Sequence, residues 1–82
     1  MRKTTRSLST QTRTSAQKIA NTLEKLRARA GLTESQWLRV LGCSRTEYEG
    51  YQSGKRMPLV TVVAHAALFS GLTFTKVYQG KI

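Results

Sequence analysis

The sequence predicts an all-α domain of five short helices, compact, preceded by a flexible N-terminal arm. Three observations predict it. Large apolar residues recur at helical rather than alternating spacing. Glycines and helix-opening Ser, Thr or Pro residues punctuate the chain at short intervals. Residues 1–15 are rich in Ser, Thr and cations and almost free of large aliphatics. Such a stretch buries too little apolar surface to offset the entropy of ordering.

The expected division is therefore a basic arm over residues 1–15 and one domain over residues 16–82. The arm's composition, Arg- and Ser-rich and free of acids, overlaps that of an organellar transit peptide, but its amphipathic periodicity is poor. In "SAQKIANTLEKLRARAG", Ile19, Leu23 and Leu26 form an i, i+4, i+7 stripe, with Gly31 as the stop. In "TESQWLRVLG", Thr33 and Gln36 have capping-box spacing, Trp37, Leu38 and Leu41 are the apolar face, and Gly42 ends the helix. The third helix opens at Ser44, where Ser44 and Glu47 form a second capping box. The fourth, "PLVTVVAHAALFSG", has Pro58 suited to a first turn, and its nearly all-apolar sequence predicts the most buried helix. The fifth, "TFTKVYQG", is capped by Thr73 and carries Phe74, Val77 and Tyr78 on one face.

Charge is the strongest global signal. The chain has 14 Lys+Arg against 4 Asp+Glu, a formal net charge of +10. A small basic domain points to an acidic partner, nucleic acid before an anionic membrane or an acidic protein. No run of apolar residues is long enough to span a membrane. One cysteine, Cys43, permits no intrachain disulfide, and with one histidine, His65, it makes no protein-only metal site. Cys43 reads as a small apolar filler, His65 as a half-buried helix residue. No nucleophile–base pair, carboxylate pair or phosphate loop is present, so neither catalysis nor a cofactor is expected.

The segment "SRTEYEGYQSGK" decides the local reading. On a helical wheel Tyr48 and Tyr51 turn inward, while Thr46, Glu49, Gly50 and Ser53 face out with Arg45 on their edge. Glu47 belongs to the cap. Gly50 points outward and offers a flat place for another backbone to come close. A helix, a Gly-containing turn and a second helix form the helix-turn-helix arrangement, whose second helix presents its N-terminal residues to base edges. Arg45 suits guanine O6 and N7. It also stands i, i+4 to Glu49, so Glu49 either pairs with it or orients it.

The run "LTESQWLRVLGCSRTEYEGYQSGKRMP", followed by an apolar helix and "SGLTFTKVY", resembles the phage-repressor and Cro-type (lambda-repressor-like) helix-turn-helix domains. The resemblance covers about residues 19–78. It rests on Gly42 in the turn, Ser44 opening the following helix, the "QSGKRMP" element and the closing "GLT". It implies a five-helix domain that binds double-stranded DNA sequence-specifically, usually as a homodimer, and regulates transcription in a bacterial or phage setting, in the cytoplasm at the nucleoid. A repressor is expected, because no separate activation or sensor segment is visible. Carried over by position, Arg45, Thr46, Glu49 and Gly50 form the base-facing set. Ser44, Ser53, Lys55 and Arg56 would meet phosphate, joined by Arg2, Lys3, Arg6 and Arg13 of the arm.

Three positions depart from the family pattern. Glu34 stands where Gln often faces phosphate, and a carboxylate there would repel it. Leu38 replaces a preferred Ala and predicts a slightly wider helix crossing or a shifted recognition helix. Gly50 removes one base contact. These departures keep a second reading in view, a protein-interaction module of the same fold that binds an acidic protein partner.

Overall fold

The computed structural model describes residues 2–82, with side chains described from Thr14 onward. Among them there are five helices and no strand: α1 (Arg2–Ala30), α2 (Glu34–Leu41), α3 (Arg45–Ser53), α4 (Val60–Ser70) and α5 (Phe74–Gln79). The fold is all-α, as expected. Helix α1 begins at Arg2, well before Ser15, where the apolar periodicity sets in. The expected mobile arm is thus described here as the first turns of α1. No glycine or proline occurs before Gly31, so nothing in that stretch interrupts helical hydrogen bonding.

The starts and stops of the shorter helices follow local chemistry. The Thr33 hydroxyl accepts from the Gln36 amide at 3.2 Å, and the Thr33 amide donates to Gln36 Oε1 at 2.9 Å. The Ser44–Glu47 box closes in the same way at 3.1 and 2.9 Å. Each box satisfies backbone donors that a helix start leaves open. Thr73 caps α5 through the Lys76 amide at 3.2 Å. Helix α4 differs: it starts after Leu59, which offers no capping side chain, so buried Pro58 lies just outside the helix rather than in its first turn.

The core is built from the expected stripes. Ile19, Leu23 and Leu26 of α1 meet Trp37 and Leu41 of α2, Tyr48 and Tyr51 of α3, Val62, Val63, Ala66 and Ala67 of α4, and Val77 of α5. Trp37 lies edge-on to Phe69, ring centroids 5.9 Å apart, and Tyr48 edge-on to Tyr51 at 6.5 Å. Edge-to-face pairs of this kind are favoured by the ring quadrupoles. Helix α4 is not buried all round. One face enters the core, while Val60, Leu68 and Phe69 stand 71%, 83% and 50% exposed. Its partners α1, α2 and α5 leave those side chains uncovered.

Helix α3 packs on α1, and α2 packs on α4. A polar cluster locks the first pair. The Tyr48 hydroxyl donates to Glu24 Oε2 at 2.5 Å, and the Arg27 guanidinium donates to the same carboxylate at 3.0 Å. Arg27 Nη1 also donates to the Leu32 carbonyl at 2.8 Å, tying down the chain between α1 and α2. Burial pushes the Glu24 carboxyl up, but its bonds from Arg27 and Tyr48 outweigh this and hold it below 4.5. Burial, then the bond to Glu24, drives the Tyr48 phenol well above its ordinary range. The buried Trp37 N–H opposes that rise from short of hydrogen-bonding geometry.

Candidate nucleic-acid interface

Helices α2 and α3 are joined by Gly42, Cys43 and Ser44. Gly42 takes φ +74°, a left-handed backbone that favours glycine, and its amide returns to the Leu38 carbonyl at 2.8 Å. His65 of α4 lies against this turn. Its Nδ1 is 2.8 Å from the Leu41 carbonyl. A carbonyl only accepts, so Nδ1 carries the proton and donates to one of the last carbonyls of α2. His65 is thus a brace for the turn. Cys43 packs against the core, and burial, with Glu47 second, pushes its thiol up to about 11, so it stays a protonated filler.

Arg45 opens α3 and is exposed. Its Nη1 donates to Glu34 Oε1 at 2.6 Å, with side-chain exposures of 57% and 37%. The partner is Glu34 at the start of α2, not Glu49 one turn along α3. Glu34 is therefore a neutralised carboxylate bridging the first residues of two helices, where a free charge repelling phosphate was expected. One nitrogen of the guanidinium is committed to Glu34, and more than half of the side chain stays exposed. Thr46 and Glu49 are exposed on the same helix, and Glu49 makes no hydrogen bond or ion pair among the described residues.

Gly50 has a different role from the one its sequence position suggested. A Cβ there would stand 3.1 and 3.2 Å from Cδ and Cγ of Arg56. The close approach is made by the Arg56 stem of the same chain, not left open for another backbone. The Gly50 carbonyl accepts from the Lys55 amide at 2.9 Å, the Arg56 amide at 3.1 Å and the Ser53 hydroxyl at 3.2 Å. The loop after α3 is so folded back onto the helix that Arg56 comes near Glu47. Glu47 is held below 4.5 first by the Ser44 amide, then by the Ser44 hydroxyl, with Arg56 adding to them.

Ser44 and Ser53 spend their hydroxyls on helix ends, whereas Lys55 and Arg56 stay exposed with no ion pair among the described residues. Beyond them in the chain α4 begins without a side-chain cap, so its first-turn amides have no side-chain acceptor. The side chains of Arg2, Lys3, Arg6 and Arg13 lie outside the described residues. Among those described, no cluster of His, Cys, Asp and Glu could hold a metal, and no helix is long and apolar enough to cross a membrane.

Sequence reasoning selected the exposed edge of α3 but missed Glu34 as the partner of Arg45. The two residues are 11 apart across a turn, beyond the i, i+3 and i, i+4 rules that read helix surfaces. Searches of protein-family models, curated proteins and solved structures found no match to this chain.

Proposed function

We propose that this protein is a sequence-specific double-stranded DNA-binding regulator of transcription, of the lambda-repressor-like helix-turn-helix kind, that represses by occupying its site. Helix α3 enters the major groove, Arg45 and Thr46 meet base edges, and Lys55, Arg56 and the start of α4 meet phosphate. The observation that carries this reading is the Glu34–Arg45 bridge at the exposed start of α3. A guanidinium needs two N–H groups to read guanine O6 and N7. Arg45 has five, and the bridge uses one while restricting the others. Three of the four acids are occupied within the chain, Glu24 with Arg27, Glu34 with Arg45 and Glu47 in its cap, so the cationic excess is left for phosphate. It is proposed as a binding protein and not an enzyme.

Binding to duplex DNA across a salt series tests this. Log affinity should fall linearly with log salt, as counterion release requires. Absence of duplex binding even at low salt would overturn the reading in favour of a protein-interaction module.

A further inference from the structure

Charge and exposed apolar surface are unevenly distributed. Residues 50–82 contain no Asp or Glu but carry Lys55, Arg56, Lys76 and Lys81. The exposed large apolar side chains among the described residues also fall there: Leu59, Val60, Leu68, Phe69, Phe74 and Tyr78. A groove of about 330 Å³ runs between α1 and the end of α5. Buried Ile19 lines its floor, and Tyr78, 46% exposed, forms a wall. Tyr78 stacks on Phe74, centroids 5.7 Å apart and planes 14° from parallel, which extends the wall into an aromatic shelf. Lys18 from α1 and Lys81 beyond α5 line the same groove, both exposed and without an ion pair among the described residues.

We propose that the α1–α5 groove docks an acidic amphipathic helix of a different protein, its apolar side chains on the exposed Tyr78–Phe74 shelf and its carboxylates on Lys18 and Lys81. This does not depend on DNA binding. A second copy is the wrong occupant. A two-fold contact sets a patch against itself, so the lysines of one copy, Lys18 and Lys81, would meet the lysines of the other, with no Asp or Glu among residues 50–82 to offset them. Duplex DNA would meet the lysines through phosphate but leave Tyr78 and Phe74 uncovered. An acidic amphipathic helix satisfies both the charge and the aromatic shelf.

The test is amide chemical-shift mapping on the full chain with a synthetic helical peptide, a Leu–Phe pair flanked by glutamates. Saturable shifts are expected around Lys18, Ile19, Tyr78 and Gln79, away from α3. Lys18→Glu with Lys81→Glu should weaken binding at least about tenfold and gain binding of the same peptide with lysines for glutamates. Tyr78→Ala, at an exposed position, should weaken it while leaving the spectrum dispersed. Equal binding of a peptide with serines for the Leu–Phe pair would reduce the site to bare charge and overturn the proposal. So would the same shifts on adding a DNA duplex or a single-stranded oligonucleotide, movement of the Ile19 and Tyr78 signals with protein concentration alone, or no shifts in the groove.

Discussion

Arg45 at the start of α3 donates to Glu34 at the start of α2 across 2.6 Å, so one ion pair ties together the first residues of two consecutive helices. Both groups are substantially exposed, so the pair adds little to stability. Its consequence lies in where the guanidinium is held. Glu34→Ala should raise affinity for random duplex, since a negative charge leaves the face, and lower the ratio of specific to random binding, since Arg45 is released. Competition binding on both duplexes at one salt concentration checks this. A uniform gain on every sequence would show that the bridge orients nothing.

Gly50→Ala tests the contact with Arg56. Alanine should recover about 1 kcal/mol of helix propensity. The new methyl meets only the flexible stem of an exposed side chain, at 3.1 Å, which can shift by a few tenths of an ångström. Thermal melts should therefore show unchanged or slightly raised stability. Because Arg56 is displaced, DNA affinity should fall by a similar factor on specific and random duplex.

The Glu24 cluster makes stability depend on pH. The carboxyl is held below 4.5 in the folded chain, burial opposing and the bonds from Arg27 and Tyr48 prevailing. Its contribution is therefore complete above the unfolded value and lost as pH falls through the lower folded one. Urea midpoints should drop below about pH 4.5, less steeply in Glu24→Gln, which is already weaker at neutral pH. Tyr48→Phe should cost about 1–3 kcal/mol by removing a bond to a charged group.

Ser44→Ala removes one side of the capping box that starts α3. A loss of about 1 kcal/mol is expected in denaturant unfolding. The Glu47 carboxyl should titrate closer to its ordinary value in the variant, since the Ser44 hydroxyl is one of the three groups that lower it, with the Ser44 amide and Arg56. Unchanged Glu47 titration would assign its shift to the Ser44 amide and Arg56.

The features legible in the sequence are those fixed by neighbours within one turn. Both capping boxes, the Thr73 cap and the inward faces of Trp37, Tyr48 and Tyr51 follow from spacings of three or four residues, and each appears in the fold. What was not legible depends on distant partners. Glu24 meets Tyr48 across 24 residues, and His65 reaches Leu41 across the same separation. Leu68 looked buried because its helix is apolar, and only the placement of α1, α2 and α5 shows that nothing covers it. Gly50 looked like open surface because no local rule brings Arg56 back over it. The start of α1 was hidden for a different reason: a stretch with no apolar stripe and no helix breaker carries no boundary signal.

Arg45, at the start of α3, is the residue proposed to read a base edge. Selection from a random duplex pool, with the native chain and with Arg45→Ala in parallel, tests this role most directly. The native chain should select a preferred sequence containing a guanine that the variant no longer selects, with a loss of about 1–3 kcal/mol on that site and little on random DNA. No preferred sequence for the native chain, or the same preference in both, would contradict it.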